Sequence, residues 1–92
     1  MYLEIVSPEA TLFAGEVTSV TVPGINGEFQ MFKDHAPIVS LLQEGKVKIA
    51  GNVTLEKAHA SKFSKDSDGN TVLPITSGTI ELKNNKVIVL AD

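Results

Sequence analysis

The chain has no cysteine and, among its eight basic residues, no arginine. Without cysteine there is no disulfide framework, so stability has to come from packed apolar residues; the composition fits a reducing compartment. Without arginine there is no bidentate guanidinium fork to read phosphates or base edges. The eight lysines are spread among eleven acids for a net charge of −3, which argues against a nucleic-acid partner. Met1-Tyr2-Leu3-Glu4-Ile5 lacks the basic start and apolar run of a signal peptide, and no stretch approaches the roughly 20 apolar residues of a membrane helix. The expectation is a soluble cytoplasmic protein with no direct membrane insertion, in which the sequon Asn52-Val53-Thr54 never meets the glycosylation machinery.

What is present is β-forming. A chain of 92 residues allows one domain, 1–92, which at this size buries only about two-thirds of its unfolded surface. Val, Ile, Thr and Leu recur at period two more clearly than at period 3.6. The alternation predicts about ten short strands: Tyr2–Ser7, Thr11–Phe13, Val17–Val22, Glu28–Phe32, Ile38–Leu42, Lys46–Ala50, Val53–Lys57, Thr71–Thr76, Thr79–Lys83 and Lys86–Leu90. A turn signal about every ten residues, from Ser7-Pro8-Glu9 to Asn84-Asn85, reads as an all-β sandwich or barrel. Val87-Ile88-Val89-Leu90 is apolar on both faces, so the last strand should be central or covered. The polar stretch Glu56–Asn70 breaks the pattern; it could hold a helical turn around Ala58, Ala60 and Phe63, but is expected to be an extended loop or hairpin.

Asn26-Gly27, between two strand-like runs, predicts a tight turn whose residues need positive φ. Pro23-Gly24 and Ile25 should widen that tip beyond two residues and project one apolar side chain, Ile25, from the strands.

Candidate chemistry is sparse. His35 adjoins Asp34, as a catalytic base adjoins its carboxylate, but neighbours on an extended chain point oppositely and no Ser or Cys nucleophile is identifiable nearby. A structural role, bonding backbone at a chain reversal, is favoured. Asp66-Ser67-Asp68-Gly69-Asn70 echoes the start of a calcium loop, yet Ile75 stands where that motif wants a Glu, so a plain turn is expected and no metal. Glu28, read alone, is a solvated strand residue beside a turn. Phe13, Phe29, Met31 and Phe32 read mostly as core. No Gly-rich phosphate loop is present, and no cofactor is expected.

Three blocks in order resemble one family. Gly27-Glu28 followed by His35-Ala36-Pro37, the opening Leu3-Glu4-Ile5-Val6-Ser7-Pro8-Glu9 with Leu12-Phe13-Ala14-Gly15, and Ser77-Gly78 with Ile80-Glu81-Leu82 and Val87–Asp92 together resemble the epsilon subunit of F-type ATP synthases. The resemblance covers nearly the whole chain. It implies a flattened sandwich of about ten strands in two sheets, and a non-catalytic central-stalk subunit linking the gamma shaft to the c-subunit ring beneath the catalytic head. It further implies a part in coupling proton or sodium flow to ATP synthesis, from a peripheral place on the cytoplasmic face of a bacterial inner membrane. Ile25, Asn26, Gly27 and Glu28 would then be the ring-contact loop, and His35, Ala36 and Pro37 the shaft-contact region. The rival readings are a small soluble β-sandwich binding or adaptor module, which would need a deep pocket with converging polar groups, and an enzyme using His35.

The sequence departs from the family pattern at Gln30, where Gly is usual, at Lys33-Asp34 for Pro-Gly, and at Thr79 for a second Gly after Ser77-Gly78. A non-Gly residue forced to positive φ costs roughly 1 to 2 kcal/mol. The helix pair that follows the sandwich in most of the family, and carries its nucleotide sensing and braking, is not found before Asp92. The expectation is a polypeptide that couples rotation without binding ATP or inhibiting hydrolysis.

Overall fold

The computed structural model describes every residue from Met1 to Asp92. In chain order the strands are β1 (Tyr2–Val6), β2 (Thr11–Glu16), β3 (Ser19–Gly24), β4 (Gly27–Phe32), β5 (Ile38–Leu42), β6 (Gly45–Ala50), β7 (Ser64–Lys65), β8 (Thr71–Ile75), β9 (Gly78–Lys83) and β10 (Lys86–Ala91), with a 3-10 turn at Ala60–Lys62 before β7. Hydrogen-bonded neighbours run β2-β1-β10-β9-β5 in one layer and β3-β6-β8-β7 in the other, with β4 on the opposite edge of β3. Only β1 and β10 pair in parallel.

The all-β sandwich expected from the sequence is present, with one amendment to its two sheets: they are continuous, joined by the single pair Gly24 and Leu42. The joint falls where β3 changes neighbour. Ser19–Thr21 pair with β6, Gly24 pairs with β5, and between them lies Pro23, which has no N–H to give. Its carbonyl accepts the Gln43 amide at 2.9 Å instead.

Period-two alternation fills the space between the layers. Leu3 and Ile5 on β1, Val20 and Val22 on β3, Met31 on β4, Val47 and Ile49 on β6, and Val87 and Val89 on β10 are fully buried. They belong to one apolar cluster of 18 residues drawn from both layers. Burying side chains of this size stabilises the fold by about 1.5–3 kcal/mol each relative to leaving them in water. A one-residue slip in any of these strands would turn its apolar set to solvent, which fixes the register.

Three expectations are corrected. Val53–Lys57 is not a strand: both edges of β6 are already taken, by β3 and β8, so the next segment cannot fold back onto β6 as a hairpin strand. Val53 and Leu55 still pack on the core, which is what their alternation recorded. The short β7 pairs with β8 instead. The hairpin between β3 and β4 is not widened: Gly24 pairs with Gly27, leaving a two-residue loop of Ile25 and Asn26. At this tip only Gly27 has positive φ, at 123°.

Of the three departures from family glycines, Gln30 and Thr79 sit in regular strand positions, opposite Thr21 and Leu90. Only Asp34 takes a left-handed backbone, with φ 65°. Asn84 and Asn85 form the two-residue turn between β9 and β10 with φ 52° and 60°, the double positive φ of a primed hairpin turn that asparagine tolerates.

Candidate functional site

β5 organises the surface. Pro37 precedes its first residue, Ile38, and near its last residues the Ile25 amide donates to the Leu41 carbonyl at 3.2 Å. The two loops singled out in the sequence therefore stand at opposite ends of one strand, separated by about 15 Å at the usual rise per residue. They do not converge into a pocket.

Between them the outer face of the first layer carries apolar side chains on β5 and β10, to either side of Thr79 and Glu81 on β9. Leu41 and Leu90 flank Thr79 in one cross-strand row, and Val39 and Ile88 flank Glu81 in the next. Val39 is 73% exposed, Leu41 57%, Leu90 50% and Ile25 51%. Large apolar side chains left in water singly are ordinary; several gathered on β5 and β10 to either side of β9 mark an interaction surface. Sequence reasoning missed Val39, Leu41 and Leu90. Their signal was apolar residues on both faces of Ile38–Leu42 and Val87–Leu90. β10 is indeed central, between β1 and β9, but nothing in this chain covers its outer face.

At the tip, Glu28 faces Lys48 at 3.4 Å, across β3. Both are partly exposed, so the pair is worth about 0–1 kcal/mol. Phe13 and Met31 are core, Phe29 packs partly against it, and Phe32 is exposed.

In the second loop the His35 amide donates to the Phe32 carbonyl at 3.2 Å, and His35 Nδ1 donates to the Ala36 carbonyl at 2.7 Å. A carbonyl can only accept, so Nδ1 carries the proton. Asp34 does not orient the imidazole; its carboxylate and amide both bond Asn85.

Asp66 turns its carboxylate inward on its own loop. Oδ1 accepts the Asp68 and Asn70 amides at 3.0 and 2.9 Å, and Oδ2 accepts the Asn70 side-chain amide at 3.2 Å. The Asn70 backbone bond is the main reason its pKa is held below the usual carboxylate value. Because the folded pKa is depressed, the turn's stabilisation is present above the ordinary carboxylate pKa and is lost as pH falls through the lowered one. With these oxygens committed, millimolar calcium should leave the thermal midpoint unchanged; a rise of several degrees would show a metal site.

A cleft of about 450 Å³ at one end of the sandwich, lined in part by Ser7, Glu9, Leu12, Lys62 and Asp92, contains none of the residues at either loop. No helix is long and apolar enough to cross a membrane.

The whole chain, residues 1–92, matches the family described as ATP synthase, Delta/Epsilon chain, beta-sandwich domain. It is 39% identical over 90 residues to the ATP synthase epsilon chain of Chlorobium limicola, a match covering 98% of this chain and 86% of that one. It is 37% identical to that of Chlorobaculum tepidum with the same coverage. Against the Desulforamulus reducens epsilon chain it is 34% identical and spans 57% of the relative. Among solved structures, a chain of the Tetrahymena thermophila mitochondrial ATP synthase central stalk and c-ring superposes with a TM-score of 0.72 at 13% identity, over 99% of this chain and 62% of that one; this likeness concerns the fold alone. Taken with the strand order and the covering match, the chain belongs to the β-sandwich family of ATP synthase delta/epsilon chains, as a non-catalytic member.

Proposed function

We propose that this domain is a coupling piece of the central stalk, holding the gamma shaft to the c-subunit ring below the catalytic head. Proton or sodium flow through the ring then drives ATP synthesis by way of its contacts. It works at the cytoplasmic face of a bacterial inner membrane, as a peripheral subunit. The observation that carries this reading is the exposed apolar row of Val39 and Leu41 on β5 with Leu90 on β10, lying between the His35-Ala36-Pro37 loop and Ile25. The row and the His35-Ala36-Pro37 loop meet the shaft; the tip Ile25, Asn26, Gly27 and Glu28 meets the ring.

A surface of this kind transmits force by shape and burial. Its energy is concentrated in a few large apolar side chains at the centre, surrounded by contacts that exclude water. Leu41→Asp should therefore lower retention of the gamma subunit in a pull-down by at least about tenfold, the loss expected when a central interface residue is removed. Its thermal midpoint should stay near the parent's, because Leu41 faces away from the core. Undiminished gamma retention by Leu41→Asp would remove the shaft from this face.

A further inference from the structure

The loop that carries the chain from the second layer to the first is held by residues 51 positions apart. Asp34 and Asn85 both have left-handed backbones, a conformation that glycine takes freely and that Asn and Asp tolerate better than other residues. Each bonds the other. The Asp34 amide donates to Asn85 Oδ1 at 2.7 Å, and Asn85 Nδ2 donates to Asp34 Oδ1 at 3.1 Å. The second of these is strengthened by the carboxylate charge. The Asn85 carbonyl also accepts the Tyr2 amide at 2.9 Å, so β1, the β9–β10 turn and the crossing loop meet at one residue. The other bonds of Lys33–Pro37 are local, the His35 amide on Phe32 and the His35 ring on Ala36.

We propose that Asn85 is a positioning residue: its clasp on Asp34 fixes where His35, Ala36 and Pro37 stand at the head of the apolar row. This rests on the reading of that loop as the shaft contact. A glycine at either position would accept the backbone but supply no side chain to the clasp. The left-handed Asp34 is therefore a strain that the partner side chain offsets, and the two positions act as a unit.

The test uses Asn85→Asp and the exchanged pair Asp34→Asn/Asn85→Asp. The single change keeps the turn preference at position 85 but sets two carboxylates against each other. The exchanged pair restores a donor on one side and a carboxylate on the other. In the single variant the His35 amide should exchange with solvent faster by roughly five- to tenfold, the scale of one lost hydrogen bond. Core amides such as Val20 and Val87 should keep their protection, and release from gamma should be faster. The exchanged pair should return both readouts to the parent's. Unchanged His35 exchange in Asn85→Asp, or failure of the exchange to restore it, would overturn the clasp. Restored exchange kinetics with gamma release unchanged throughout would uphold the clasp and count against the loop as the shaft contact.

Discussion

Gly78→Ala should lower the thermal midpoint by about 10–20 °C, the result of overpacking worth roughly 3 kcal/mol in a domain this size. Gly78 begins β9 and pairs with Ala91 on one side and Leu42 on the other. A methyl group there would be driven into the Leu90 carbonyl oxygen, and would lie 3.3 Å from the Leu90 carbonyl carbon and 3.4 Å from Ala91 Cα. These are backbone atoms of a central ladder and cannot swing aside as a side-chain tip can. Differential scanning calorimetry reads the effect directly. A midpoint equal to the parent's would mean that β9 and β10 can separate locally without loss of the fold.

Gly27→Val should weaken assembly with the ring by about tenfold or more, whereas Glu28→Gln should change it little. Gly27 has φ 123° and open space where a Cβ would stand, so valine is penalised by the backbone and not by a neighbour. A valine that shifts this φ redirects the whole Ile25-Asn26 tip, and the strain alone is roughly 1–2 kcal/mol. Glu28 already has Lys48 at 3.4 Å, and neutralising one member of an exposed pair removes about 1 kcal/mol at most. Co-purification of the ring with each variant separates shape from charge. Greater loss from Glu28→Gln would make the tip an electrostatic contact.

The strands were legible because a layer packed on one face leaves its record at period two; Leu3 and Ile5, Val47 and Ile49, and Val87 and Val89 all bury as their spacing predicts. Val53 and Leu55 left the same record without forming a strand, because alternation reports which side of an extended chain meets the core and says nothing about whether a neighbouring edge is free. Pro23-Gly24 read as loop for a related reason. Proline and glycine usually interrupt a ladder, but here β3 needs an interruption just where it passes from β6 to β5. The contact face was harder still. Val39 and Leu90 look the same in sequence whether an apolar outer face is covered by this chain or left for a partner, and only the sheet order shows that no element of this chain lies over it. The Asp34–Asn85 clasp joins two turns far apart in sequence, each of which gives only its own turn chemistry.

Proton-driven ATP synthesis in vesicles containing the cognate synthase stripped of this subunit tests the coupling role most directly. Adding the parent chain should restore synthesis, and adding Leu41→Asp, folded and at equal concentration, should restore little. Equal recovery with both chains, or none with the parent, would contradict a domain that transmits rotation through the face built on β5.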